Sequence, residues 1–167
     1  LIAKTFVFRL IYGGSAFSYA NDPNFKDIGD EKFWQKVIDQ FYAKYSGLKK
    51  WHDDIMFKVK QTNELVMPSG RTYKYLPETN SMGNLKYPRT RILNYPVQGL
   101  GADLMAIARV SLYNKIAKMQ GVKLINTVHD SIMLDYDPKV CYTNSIVEIV
   151  KECFHNVPDN FTKLFGK

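Results

Sequence analysis

VKLINTVHDSIMLDY, residues 122–136, reads as two short apolar strands, 122–128 and 131–136, joined tightly at His129-Asp130. The joint carries the information. Two-residue hairpin tips favour Asn-Gly or another glycine-containing pair, and a His-Asp tip is not what turn preference predicts. Mismatches between a local rule and its context tend to mark function. A carboxylate projected from a rigid β-turn is placed to hold Mg²⁺, which takes a few carboxylates together with substrate phosphates. The same residues also fit a plain surface turn, and the motif alone leaves both readings open. A His-Asp-Ser hydrolase relay is disfavoured, because adjacent residues of an extended chain point apart.

Working outward, the longest helix is expected from near residue 96 to about 119, with Gly121 ending it. Val97, Leu100, Leu104, Ala108, Leu112 and Ile116 would form one buried stripe. A last helix is expected over roughly 139–154. Upstream, residues 1–12 read as a helix stopped by Gly13-Gly14, and 21–24 as a polar loop. From 30 to about 45, Phe33, Val37, Phe41 and Tyr45 recur every four positions. Gly47 would break this helix from another over 48–60. Segments 64–67 and 71–75, either side of Pro68-Ser69-Gly70, read as a β-hairpin, and 78–88 as loop. Helices preceding an antiparallel pair make the fold α+β.

Composition narrows the class. The 167 residues suffice for one ordinary core, and 46% hydrophobic with 23% charged residues is the balance of a soluble globular chain. No apolar run is long enough to span a bilayer, and no signal-peptide pattern is present, so no membrane partner is expected and the cytoplasm is the expected location. Cys141 and Cys153 form no CxxC pair, which excludes a disulfide framework or a cysteine-rich zinc site. A net charge of +7, from 23 Lys plus Arg against 16 Asp plus Glu, suits a polyanionic partner. The chain opens on Leu1 inside a helical pattern, so a truncated N-terminus is expected.

Two further constellations stand upstream of the hairpin. Lys4, Phe8 and Tyr12, followed by Gly13, lie four apart on one drifting stripe of a helix. A cation, a ring and a phenol in a row match the anionic tail, sugar and flat base of a nucleoside triphosphate. By itself the pattern fits more readily an amphipathic helix with core aromatics and a solvated lysine. Asn94-Tyr95-Pro96-Val97-Gln98-Gly99 opens the long helix, with Pro96 suited to a first turn. Asn94 and Gln98 could read minor-groove acceptors that every base pair presents, and Arg89 and Arg91 could meet phosphates. By themselves these positions fit helix capping by polar residues more readily.

Taken in this order, the three constellations resemble the A-family (DNA polymerase I-like) DNA polymerases over nearly the whole chain. KTFVFRLIYG looks like the fingers O helix, NYPVQGLGADL like the helix along the primer–template minor groove, and TVHDSI like motif C of the palm. PSGRTYKYLP, between the first two, also matches. The resemblance implies fingers over 1–88 and a palm portion over 89–167, a partial polymerase whose small antiparallel sheet carries motif C. It implies that Lys4 and Asp130 are catalytic, and that Lys4, Phe8 and Tyr12 bind the dNTP. Arg89, Arg91, Asn94, Gln98 and His129 would contact primer–template DNA, and Asp130 would be one of two aspartates holding a pair of Mg²⁺ ions. The other aspartate, in motif A, precedes the O helix, so the chain alone is expected to be inactive, and its palm sheet to lack flanking strands.

Some positions depart from the family's pattern. Ser131 stands where many bacterial members have Glu, Arg9 where a small residue is common, and Thr90 where Arg is frequent. These point to a phage or other divergent replicative enzyme. A single-subunit RNA polymerase shares the K…YG helix and an HDS motif, but typically has Met where Phe8 stands and lacks NYPVQG. A non-catalytic nucleic-acid-binding module derived from a polymerase is the other alternative.

Overall fold

Helices form where apolar residues recur at helical spacing and caps close their ends, in a computed structural model that describes residues 2–79 and 83–166. Helix α1 (Ile2–Ile11) buries Phe6 and Leu10, four apart and so on one face. It stops before Gly13, whose φ of 87° is left-handed and where an added Cβ would meet the Leu93 side chain at 3.1 Å. Helix α2 (Ala16–Ala20), absent from the sequence reading, is opened by a capping box between Ser15 and Ser18. Helix α3 (Glu31–Lys44) starts at Asp30, whose carboxylate accepts from the Phe33 N–H at 2.8 Å.

The apolar stripe of α3 differs from the expected one. Trp34 and Ile38 are its buried centre, Val37 and Phe41 pack beside them, and Phe33 and Tyr45 are exposed. A spacing of four drifts by about 40° a step, so four such residues cannot all face one core. Helix α4 (Ser46–Thr62) is divided from α3 at Tyr45, with φ −118° and ψ 59°, and Gly47 lies within its first turn. A glycine keeps its N–H and costs a helix only about 1 kcal/mol of backbone entropy, which a 17-residue helix absorbs.

Strands β1 (Glu64–Val66) and β2 (Thr72–Lys74) pair antiparallel, with Leu65 opposite Tyr73, as the hairpin pattern predicts. The segment expected as loop contains a second short ladder, β3 (Glu78–Thr79) with β4 (Leu85–Lys86). Its pair Glu78 and Lys86 sets opposite charges across the strands. Residues 80–82 of that expected loop lie outside the described residues.

Helix α5 (Arg89–Ile116) begins at Arg89 and carries Pro96 inside it, where the sequence reading starts the helix near Pro96. A proline lacks the N–H that an interior position uses, which is why it ordinarily marks a helix start. Here Ile92 and Leu93, both fully buried, hold the turn before it, and burial outweighs the proline's preference. Of the expected stripe, Ala108, Leu112 and Ile116 are buried, while Val97 is exposed.

Strands β5 (Val122–Val128) and β6 (Ser131–Tyr136) have the predicted bounds. Their register shifts between Leu124 and Asn126, so Ile125 bulges out and is 59% exposed. Helix α6 (Thr143–His155) starts later than expected. Asp137 gathers the preceding residues into a turn, its side chain accepting from the Lys139 N–H and its carbonyl from those of Val140 and Cys141. Helix α7 (Val157–Phe165) is missing from the sequence reading, although Pro158 in its first turn is a start signal.

The fold is α+β, with helices and three two-stranded antiparallel ladders among the described residues. The chain forms two compact units, Leu1–Met67 with Thr72–Val97, and Pro68–Arg71 with Gln98–Lys167. The first has one cluster around Phe6, Leu10, Tyr19, Phe25 and Trp34, and another around Val59, Leu65, Tyr75 and Ile92. The second packs Leu112, Ile116, Val122, Ile146 and Cys153. No described helix is long and apolar enough to cross a membrane.

Candidate functional site

Helix α1 turns two different faces outward and inward. Phe6 and Leu10 fill the core of the first unit, whereas Lys4 is exposed and Phe8 is 49% exposed. The core-aromatic reading of the Lys4-Phe8-Tyr12 stripe therefore fails for Phe8. Lys4 Nζ lies 5.8 Å from the Phe8 ring centroid, and the Phe8 and Tyr12 rings are 6.4 Å apart at 46°. A cation and a ring follow one another on the exposed face of α1, and the half-buried phenol of Tyr12 stands just past its end. Such a face can receive an anion at one end and a flat or sugar-like group further along.

Arg9, one of the departures noted above, is taken up in packing. Its guanidinium lies 5.5 Å from the Tyr19 ring and 5.4 Å from the Phe25 ring, and it bonds Asp22 at 2.6 Å and the Ser18 carbonyl at 3.3 Å. The Asp22 carboxyl is held below its ordinary range, first by Arg9 and then by the Asn24 N–H. Arg9 thus anchors α1 on the segment that follows it.

A polar string fixes the C-terminal end of α1, and the sequence reading missed it. His52 on α4 is fully buried, with Nε2 2.9 Å from the Ile11 carbonyl and Nδ1 2.9 Å from the Tyr42 hydroxyl. The carbonyl can only accept, so Nε2 carries the proton, Nδ1 accepts from Tyr42, and Tyr42 in turn receives a hydrogen bond from Arg89. The string reaches the residue next to Tyr12. A lone histidine in a helical pattern gives no sign of this. Only its distant partners do.

Burial lowers the His52 pKa below its ordinary 6.5, more than the Ile11 hydrogen bond raises it. The folded state then binds fewer protons than the unfolded one below that value. The stability His52 contributes should be fully present above about pH 6.5 and drain away as pH falls below it. The urea midpoint of the chain should drop between pH 7.5 and 5, and His52→Gln should flatten that drop. Equal pH dependence in both proteins would show that His52 titrates without effect. His52→Ala should cost about 3 kcal/mol at neutral pH, from the cavity and from the carbonyl and hydroxyl left unpaired.

At the head of α5 both expected phosphate-contacting arginines have internal partners. Arg91 pairs with Glu78 at 2.6 Å, both side chains partly exposed, and Arg89 bonds Tyr42. Asn94 is half-buried and its Oδ1 has no partner among the described residues. Gln98 is exposed and opens the second unit's part of the helix. On the same helix, Asp103 is held by Ser69 at 2.6 Å and by Arg71 through two nitrogens. Chiefly Arg71 keeps its carboxyl below the ordinary range.

The β5–β6 tip exposes both His129 and Asp130. His129 has a φ of 52°, a left-handed conformation that costs a non-glycine residue about 1–2 kcal/mol. Strain of that kind persists where the surroundings impose it, and it clusters at functional sites. Among the described residues no group of three or more His, Cys, Asp and Glu stands together as a metal cage. Asp130 therefore offers one open carboxylate, which fits Mg²⁺ as a single ligand of a site completed by other groups. Of the expected residues, Lys4, Phe8, Tyr12, Arg89, Arg91 and Asn94 belong to the first unit, and Gln98, His129 and Asp130 to the second.

A model described as DNA polymerase family A matches residues 1–163. The chain is 31% identical over 141 residues to DNA polymerase I of Aquifex aeolicus, covering 80% of this chain and 22% of that protein. It is 33% identical over 137 residues to DNA polymerase I of Pseudomonas aeruginosa, covering 80% of this chain and 14% of that protein. The POL domain of Pol1 from M. smegmatis, solved with DNA primer-template and dNTP, shares the fold with a TM-score of 0.77 at 20% identity. That likeness covers 92% of this chain and 26% of that one. The chain thus spans a quarter or less of the length of the curated relatives named here.

Proposed function

Since the chain belongs to DNA polymerase family A, we propose that it carries the nucleotide-binding helix and one metal-binding aspartate of a longer, template-directed DNA polymerase. The observation that carries this reading is the row formed by Lys4 and Phe8, exposed on α1, and the half-buried Tyr12 just past its end, in contact order. Lys4 meets the triphosphate and stabilises charge developing on the departing pyrophosphate. Phe8 packs on the incoming sugar, and Tyr12 borders the insertion site, its backbone steadied by the His52–Ile11 bond. Asn94 and Gln98 follow the minor groove, Arg89 and Arg91 approach phosphates once their internal pairs open, and His129 touches the primer end.

Asp130 would hold Mg²⁺ together with an aspartate supplied from outside this chain. When bound, the two ions would polarise the transferred phosphoryl group and activate the primer 3′-hydroxyl. In this reading residues 1–88 are fingers and 89–167 palm. Ser131, Arg9 and Thr90 favour a divergent, phage-like replicative enzyme working in the cytoplasm. DNA primer–template and dNTPs are the partners, as in the M. smegmatis complex.

The test is primer extension by the full-length polymerase beside the isolated chain. The full-length protein should extend with dNTPs and the isolated chain should not. Strong preference for rNTPs would favour an RNA polymerase instead. Robust extension by the isolated chain would show that no outside aspartate is needed.

A further inference from the structure

We propose that a tyrosine-lined pocket beside the β1–β2 hairpin binds one unpaired nucleobase of the single-stranded template. This rests on the reading of the chain as part of a DNA polymerase. The pocket lies wholly within the first unit and has a volume of about 410 Å³. Tyr73, Tyr75, Tyr95, Lys74, Arg91 and Glu78 border it.

The lining suits a flat, polar-edged ring. Tyr73 and Tyr75 project to the same side of the chain, two residues apart, with rings 6.3 Å apart and 28° from parallel. The Tyr95 ring stands 6.1 Å from that of Tyr73, and Tyr95 is 44% exposed, so aromatic surface reaches solvent. Tyr75 is buried, and its hydroxyl has no hydrogen-bond partner among the described residues. Burial pushes its pKa up to about 12, so it remains a neutral donor and acceptor. Buried hydroxyls ordinarily find a partner, and a base edge supplies both donors and acceptors.

Charge at the rim completes the match. Lys74 is exposed, and Arg91 is held by a partly exposed pair with Glu78, which a phosphate can replace at little cost. Aromatic platforms flanked by cations are the pattern that holds single strands without sequence preference. The base must be unpaired, since in a duplex both its faces and its pairing edge are already engaged. A net charge of +7 and membership of a polymerase family select nucleic acid over a proline-rich peptide, the other guest of tyrosine grooves.

The experiment measures binding of the full-length polymerase to primer–templates with template overhangs of one or ten nucleotides, by fluorescence anisotropy. The wild type should bind the long overhang more tightly. Tyr95→Ala should reduce that preference by about tenfold, the scale of one base–aromatic stack, and Tyr95→Phe should keep it. Lys74→Ala should lower the salt dependence of long-overhang binding by about one phosphate contact. Equal overhang preference in the wild type and Tyr95→Ala, or no preference in the wild type, would overturn the pocket's assignment. Absence of any templated extension by the wild type would instead sink the polymerase reading on which it rests.

Discussion

Asp130→Asn in the full-length polymerase should reduce the rate of nucleotide incorporation by about a thousandfold or more while leaving the protein folded. The carboxylate is exposed at the tip of a two-stranded ladder, where it supports no core packing, and asparagine is nearly the same size. What changes is its charge. A carboxylate that helps to hold a divalent ion shares in several kcal/mol of transition-state stabilisation, and each 1.36 kcal/mol is tenfold in rate. Single-turnover incorporation with saturating dNTP would isolate the chemical step. Primer–template binding measured on the same protein should change by only a few fold. A variant that incorporates at the wild-type rate would remove Asp130 from the metal site and leave a binding module as the better description.

Lys4→Ala should lower incorporation by about 10²–10³-fold, the usual cost of removing one donor aimed at developing charge. The lysine is exposed, and its ammonium contacts the Phe8 ring at 5.8 Å, an interaction worth about 0.5–1 kcal/mol at an exposed position. The loss should therefore not come from unfolding. If Lys4 acts mainly in the transition state, kcat and kcat/KM for dNTP fall together; if it only holds the ground-state triphosphate, KM rises alone. Lys4→Arg keeps the charge and should recover part of the activity. Wild-type kinetics in Lys4→Ala would break the assignment of α1 as the nucleotide-binding helix.

How far the sequence alone reached depended on whether a feature was local. The β5–β6 hairpin was legible because alternation and a two-residue tip are written in adjacent residues, and its bounds hold. Spacing placed Lys4, Phe8 and Tyr12 on one stripe, but it did not show that Phe8 would be exposed and not core. Features set by distant partners were not legible. Nothing around Pro96 announces that Ile92 and Leu93 will be buried deeply enough to carry the helix back to Arg89. Nothing near His52 indicates that Ile11, Tyr42 and Arg89 will meet it in series. Arg9 read as a departure in a functional helix, yet its partners Tyr19, Asp22 and Phe25 make it part of the core's edge.

The bulge at Ile125 sets the parity of the hairpin. Before it, Val122 and Leu124 face the core; after it, Thr127 is the half-buried residue, with Asn126 and Val128 exposed. Were Ile125 an ordinary strand residue and not a bulge, strict alternation from Leu124 would turn Asn126 and Val128 inward and Thr127 outward. The strand arm leading to His129-Asp130 therefore tolerates substitution far better than it tolerates a change of length. A residue lost or gained elsewhere in β5 would reverse which side of the ladder its last residues present, and with them the aim of the tip, whereas loss of Ile125 would only straighten the strand.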